Sequence, residues 1–371
     1  MLTRFNNNPY LPTAKGDATN ECPAPNRLIL ISQVYPPDPT AVGQHFADFT
    51  RELATRGWHV LVISSNRGYD NPATKFRAYE QVDGVTVKRL PFSSFGKGSI
   101  PIRLAGQLLF SLQALAYCLA TPRNNVVVSS TSPPFAGVIG AILNKCRGTK
   151  LLWWVMDINP DQIVAAKKLR HNSLLVRIFE SMNRGTIRRA YKVVTLDHFM
   201  ADRLKKKGEA GDKIEVVPPW AHADPTLSEG DKQPSQPLGQ AFRQRHGLDS
   251  RFVVMYSGNH GIQHPLKTLL QAASLLRDDP RIAFVFVGGG AGKEQVEQAV
   301  SSGLQNVLSL PYQPLSDLSE SLSAADVHVV TMSDDAVGII HPCKIYGALA
   351  VGRPVLFFGP QKSHAGEIVN P

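Results

Sequence analysis

Short, wholly apolar runs alternate with longer amphipathic segments along nearly the whole chain, and this alternation restricts the fold more than any single motif. "RLILISQVY" from Arg27 is followed by the loop "PPDPTAVGQ", by "HFADFTRELATRG" with helical periodicity and a Gly57 stop, and by a second apolar run, "HVLVISS". A strand without polar alternation is buried on both faces, and strand–loop–helix–strand units of this kind build parallel, doubly wound sheets.

The pattern continues through "GVTVKRLP", the apolar helix "RLAGQLLFSLQALAYCLA", "NVVVSSTSPP", "FAGVIGAILNKCRG", "KLLWWVMDI", "LLVRIFESMNRGTIRRA", "KVVTLD", "HFMADRLKKKG" and "KIEVVPPW". This makes one α/β domain over 27–222. The stretch "ADPTLSEGDKQPSQPLGQ", rich in Pro, Ser, Gly and charge, then reads as a linker within 223–250. A second α/β series begins at "FVVMYSGNHG" and occupies 251–371. The polar first 26 residues read as a disordered leader. Paired domains of this type bind ligands in the cleft between their strand C-termini. After "VLFFG" only "PQKSHAGEIVNP" remains, where another strand and helix are expected, so the second domain reads as truncated at its C-terminal end.

At 371 residues, 43% of them hydrophobic, the chain is long enough for two packed cores. Its formal net charge of +10 suggests an anionic partner: nucleic acid, an acidic membrane surface or a phosphorylated ligand. The basic residues lack interleaved aromatics or a reading module, which argues against nucleic acid. Four cysteines (Cys22, Cys118, Cys146, Cys343) form no CxxC pair, which argues against a structural zinc site or a disulfide framework and fits a reducing compartment. The N-terminus has no apolar core of the secretory kind. No run reaches the ~18–20 apolar residues of a spanning helix. "LAGQLLFSLQALAYCLA" comes near but is interrupted by Gln107 and Gln113. It reads as a core helix, or else as an interfacial helix assisted by Arg103, Arg184, Arg188, Arg189 and Lys205, Lys206 and Lys207.

Several loops fall where ligands are expected. "VFVGGGAGKE" fails the dinucleotide pattern at Lys293, and fails the phosphate-loop pattern at Val287 and Glu294, which leaves a glycine-rich turn. "YPPDPTAVGQHF" places Gly43 at a helix start, where the backbone can approach a phosphate or sugar closely. "YSGNHGIQHP" offers small residues and amides at a strand end, and a plain turn fits it equally well. Asp157 in "WWVMDINPDQ" closes an apolar strand, where its carboxylate could serve an acceptor hydroxyl or merely cap a helix or pair with a cation. In "HPCKIYGALAVGRPVL", Pro342 suits the first helical position, leaving the Cys343 and Lys344 amides free. A lysine there is unfavourable unless it faces solvent or an anion such as a diphosphate binds beside it.

In order and spacing, "LILISQVYPPDPTAVGQHFADFTRELATRGWHVLVISS", "MDINPD", "VVPPW", "VVMYSGNHG", "FVFVGGG", "LPYQPLSDL", "SAADVHVV" and "HPCKIYGALAVGRPVL" resemble retaining family 4 glycosyltransferases of GT-B architecture. The nearest-looking branch comprises bacterial surface-polysaccharide enzymes that transfer N-acetylated sugars. The resemblance spans roughly 27–360 and implies a UDP-sugar donor, a glycan or polyprenyl-linked acceptor, retention, no obligatory metal or other cofactor, and a cytoplasmic location, peripheral to the membrane. It implies donor binding by Gly43, Gln44, Ser257, Gly258, Asn259, His260, Gly261, Tyr312 (beside the nucleobase), Gly338, Pro342 and Lys344. Lys344 would neutralise the leaving group. Asp157 would position the acceptor. Two glutamates of the wider family are replaced by Ile339 and Gly347, and an Arg and a Lys by Asn259 and His264. These departures keep a GT-B nucleotide-sugar epimerase and a non-catalytic sugar-nucleotide binder as alternatives.

Overall fold

The computed structural model describes residues 26–69, 71–95, 100–208, 211–221 and 238–370. The leader up to residue 25 and the linker core at 222–237 lie outside the described residues.

The first domain runs β1 (Arg27–Ile31), α1 (Ala41–Thr55), β2 (His59–Ser65), β3 (Tyr79–Val82), β4 (Val85–Leu90), α2 (Ile100–Ala120) and β5 (Val126–Ser129). It continues with α3 (Ala136–Arg147), β6 (Lys150–Trp154), α4 (Asp161–Ala165), α5 (Leu174–Arg189), β7 (Lys192–Thr195), α6 (His198–Lys207) and β8 (Ile214–Val216). The eight strands lie in the order β3-β4-β2-β1-β5-β6-β7-β8. All neighbours are parallel except β3 and β4, an antiparallel hairpin turning at Asp83 and Gly84. The sequence pattern gives no sign of β3, whose "YEQV" is polar and paired on one side only. Its Glu80 nevertheless meets the fully buried Arg89 of β4 at 2.5 Å. Arg89 also donates to the Pro36 carbonyl at 2.6 Å, so the hairpin fixes the loop that leads from β1 into α1.

The second domain comprises α7 (Gln240–His246), β9 (Phe252–Ser257), α8 (Lys267–Leu275), β10 (Ile282–Val287), α9 (Lys293–Ser301) and β11 (Val307–Leu310). It ends with α10 (Leu318–Ser323), β12 (Val327–Thr331), α11 (Lys344–Ala350), β13 (Val355–Phe358) and α12 (His364–Val369). Its parallel strands are ordered β11-β10-β9-β12-β13. Helix α7 lies in the stretch that reads as linker, yet it belongs to this domain. Phe242 is buried in the core, and the Glu320 carboxylate accepts the Gly239 and Phe242 amides at 2.9 and 3.1 Å.

In both sheets the strand order reverses beside the first strand, between β1 and β5 and between β9 and β12. The crevice at such a reversal is where open α/β sheets take ligands. The two domains touch through the segment joining β12 to α11, whose Met332, Ala336, Ile339 and Ile340 complete the first domain's core.

Helix α2 buries Phe110, Ala114 and Cys118 but exposes Ile102, Leu108, Leu109, Leu112 and Leu119. Contrary to the sequence expectation, Pro101–Ala120 is long and apolar enough to cross a membrane by length and composition, with 33% of its most apolar window buried. The interruptions are masked by orientation. Gln107 turns inward, and the Gln113 amide bonds back to the Leu109 carbonyl at 3.0 Å.

Candidate active site

Loops after the first two strands of the second domain interlock. The His260 amide donates to the Gly289 carbonyl and the Gly292 amide to the His260 carbonyl, both at 2.7 Å. Gly288 and Gly290 have φ of 132° and 124°, and a Cβ on either would stand 2.1 Å from the Gly258 carbonyl oxygen or 2.3 Å from Asn259 Oδ1. The glycine run of "VFVGGGAGKE" is therefore a close-approach device between two loops. Lys293 closes its far end by donating to the Gly288 and Leu310 carbonyls at 2.9 and 2.7 Å.

Onto this platform comes Lys344. Its ammonium donates to the Tyr256 hydroxyl at 2.7 Å and lies 4.5 Å from the centre of the Tyr256 ring. The Tyr256 hydroxyl in turn donates to the Asn259 carbonyl at 2.8 Å. A Cβ on Gly258 would stand 3.2 Å from the Lys344 Cε, so the stem of the lysine crosses the loop where only glycine leaves room. Burial pushes the Lys344 amine down to about 7, and among the described residues no carboxylate is bonded to it to restore the charge. A half-buried, poorly solvated amine crossing a glycine-lined loop is a site for an anion.

The neighbouring histidines supply no charge. His264 donates from Nδ1 to the Thr331 carbonyl at 2.7 Å and is held at about 3, chiefly by burial and then by Lys344. His260 is fully buried, and burial, followed by Lys293 and Lys344, brings it to about 4. Tyr312 lies against Gly288 and Gly289 and donates to the Gly289 carbonyl at 3.2 Å.

Helix α11 starts at Lys344, with Cys343 as its cap. Pro342 precedes the helix, and the Cys343 amide is engaged by the His341 carbonyl at 2.9 Å. The expectation of a proline at the first helical position with two free amides is corrected accordingly, and the anion-binding character rests on the lysine side chain.

His341, which the sequence reading passed over, ties this segment to the other domain. Its ring is buried, with Nδ1 2.8 Å from the Asp197 carboxylate and Nε2 3.0 Å from the Tyr346 hydroxyl. Asp197 also caps α6 by accepting the Met200 amide at 2.8 Å. Gly338 has φ 67°, and a Cβ there would stand 2.7 Å from the Phe199 carbonyl oxygen. Gly338 thus serves close packing of the two domains. The Ile158 amide donates to the Ile339 carbonyl at 2.9 Å, bringing the Asp157 loop against the same segment.

Asp157 follows β6. Its amide and that of Met156 donate to Thr131 Oγ1, each at 3.2 Å. Its carboxyl lines a cavity of about 10 Å3 with Thr131, Trp153 and Asn183, room for about one water. Burial pushes it up to about 6, and the charge of Asp157 is felt at Cys343, next to Lys344. Gly43 donates its amide to Thr40 Oγ1 at the start of α1, and a Cβ there would stand 3.2 Å from the Tyr35 Cα. Among the described residues, neither Gly43 nor Gln44 is hydrogen-bonded to the second-domain group. Ser257, Gly258, Asn259, His260, Gly261, Tyr312 and Lys344 do come together. A concavity of about 980 Å3 lies elsewhere, along α5 beside Leu174, Arg177, Ile178 and Arg184.

Comparison with known proteins bears on the fold and on the two domains. Residues 40–220 match the glycosyl transferase 4-like domain, and residues 251–370 match the glycosyl transferases group 1 domain. The chain is 24% identical over 354 residues to WcaI of Escherichia coli (strain K12), provisionally named a colanic acid biosynthesis glycosyl transferase, covering 92% of this chain and 85% of that one. Anabaena HepE, solved in complex with UDP and glucose, superposes with a TM-score of 0.64 at 18% identity, covering 93% of this chain and 83% of that one. Sucrose-phosphate synthase from Thermosynechococcus elongatus gives 0.67 at 18% identity, covering 91% and 82%. The chain has the two-domain GT-B fold, and its paired domains place it among the group 1 glycosyltransferases.

Proposed function

We propose that this chain is a retaining glycosyltransferase that moves a sugar of the N-acetylated hexosamine type from a UDP donor to a lipid-linked or growing polysaccharide acceptor. The observation that carries the donor half is Lys344, a desolvated amine crossing Gly258 at the strand reversal. The crystallised neighbour holding UDP and glucose, and the polysaccharide-related name of WcaI, support the same reading.

In this scheme the diphosphate lies against Lys344 and the Ser257–Gly261 loop, and Tyr312 flanks the base. The bond between the sugar's anomeric carbon and the phosphate oxygen breaks, and UDP leaves. An acceptor hydroxyl attacks the same face, giving its proton to the departing phosphate, while Asp157 orients that hydroxyl. Lys344, not a metal ion, neutralises the leaving group. His260 and His264, neutral in the working range, leave this charge to Lys344 alone.

Contact with the inner face of the cytoplasmic membrane fits the exposed apolar side of α2 and the exposed Leu174, Ile178, Arg177 and Arg184 of α5. These helices both pack beside α3 on one side of the sheet.

The test is calorimetric titration of the purified protein with UDP, and with GDP and NAD as controls, repeated on Lys344→Ala. UDP-selective binding that falls at least tenfold in the variant is the expected result. Binding unchanged in the variant would remove Lys344 from the site, and absence of any nucleotide binding would remove the donor assignment altogether.

A further inference from the structure

Two histidines and a glutamate from opposite domains meet at the seam, away from Lys344. His198 opens α6 of the first domain, directly after the Asp197 cap. His364 and Glu367 lie one turn apart on α12, on one face of the helix. Among the described residues, these three form the group whose ligand atoms all lie within 4.8 Å of one another. His198 Nε2 is 3.3 Å from Glu367 Oε1, and His364 Nδ1 is 3.6 Å from Glu367 Oε2.

We propose that His198, His364 and Glu367 form a binding site for a zinc-like divalent cation that clamps α12 to the first domain. The inference is independent of the donor chemistry assigned to Lys344.

Two imidazoles and a carboxylate are a recognised three-ligand set for zinc, with ligand bonds of about 2.0–2.2 Å. Tetrahedral bonds of that length put ligand atoms about 3.4 Å apart. The two measured glutamate–histidine separations, one to each carboxylate oxygen, are near this value, and because all three ligand atoms lie within 4.8 Å of one another, side-chain shifts on the order of 1 Å close them on one ion. His364 Nδ1 is buried without a hydrogen-bond partner among the described residues, so a ligand lone pair is aimed into the cluster at no competing bond. Nitrogen with a single carboxylate selects zinc, nickel or cobalt over magnesium or calcium, which prefer all-oxygen shells.

The geometry makes the ion a strap. His198 is fixed by the Asp197 cap of α6, and α12 is fixed at its own start by Ser363, whose hydroxyl accepts the Gly366 amide at 3.1 Å. Joining these two helix starts ties the second domain's last helix to the first domain, one residue from the Asp197–His341 contact.

The experiment titrates the metal-stripped full chain with zinc chloride by calorimetry, with magnesium chloride as a control. The same titration is made on His364→Ala and on His198→Ala/Glu367→Ala, with cobalt absorption reading the geometry. Wild type should bind one zinc per chain, with tetrahedral cobalt bands, and both variants should bind at least a hundredfold more weakly. Folding of the variants is checked by circular dichroism, and the largely exposed His198 and Glu367 make the double variant the safer one. Zinc should also slow amide exchange at residues 198–201 and 364–367 together. Equal binding by wild type and the double variant, or no zinc binding by wild type, would overturn the site. Slowed exchange confined to 364–367 would overturn the clamp.

Discussion

Raising the pH from 7 to 9 is expected to weaken UDP binding about 50-fold through Lys344 alone. In the free protein this amine is held at about 7, so it is half charged at pH 7 and about 1% charged at pH 9. A diphosphate beside it restores the ordinary lysine value of ~10.4, so the complex keeps the proton across the whole interval. Binding therefore takes up a proton above pH 7, and affinity falls by up to about tenfold for each pH step, about 1.4 kcal/mol each. The two histidines, Asp157 and Cys343 change little in this window. His260 and His264, at about 4 and about 3, stay neutral, Asp157, at about 6, is already largely ionised at pH 7, and Cys343, at about 12, stays protonated. Calorimetric dissociation constants for UDP at pH 7, 8 and 9 measure the slope, with Lys344→Met as control. A flat wild-type profile, or a slope that survives in Lys344→Met, would refute the reasoning.

Asp157→Asn should lower turnover roughly 100-fold while leaving UDP affinity within about twofold, as steady-state kinetics with calorimetry would read. In wild type, turnover should rise with pH through about 6 as the Asp157 carboxyl ionises, and a rate profile over pH 5–7 checks this. Gly338→Ala places a Cβ 2.7 Å from the Phe199 carbonyl in a left-handed backbone, and should cost about 1–3 kcal/mol in chemical denaturation. Tyr312→Ala should weaken UDP binding about tenfold without changing the thermal midpoint by more than a few degrees, if its ring flanks the base.

Much of the architecture was legible because buried parallel strands announce themselves. "HVLVISS" and "IAFVFV" coincide with β2 and β10, and the helices stop at glycines such as Gly57 and Gly148. Strand β3 was not legible, because its polar residues pair on one side only. Helix α7 was hidden by its seven-residue length and by the Pro-rich stretch before it. At the site, glycines and strand ends pointed to the Ser257–Gly261 loop. Tyr256, the hydroxyl that holds Lys344, read only as part of an apolar strand. The Asp197–His341 contact joins residues 144 positions apart, and no local pattern marks it. His341 stands directly before Pro342 in the motif that drew attention to Lys344, so its polarity within a buried stretch was the available clue. The His198–His364–Glu367 group escaped for the same reason, since a search for closely spaced ligands sees only the pair on α12.

The most direct test of the transferase assignment is UDP release from UDP-N-acetylhexosamine, measured with and without a polyprenyl-diphosphate-linked glycan fraction, while mass spectrometry follows the acceptor. The account predicts that UDP appears only when the acceptor is present, and that the acceptor gains one sugar mass. UDP-sugar that binds but is neither cleaved nor transferred, or that returns as its epimer without UDP release, would contradict it.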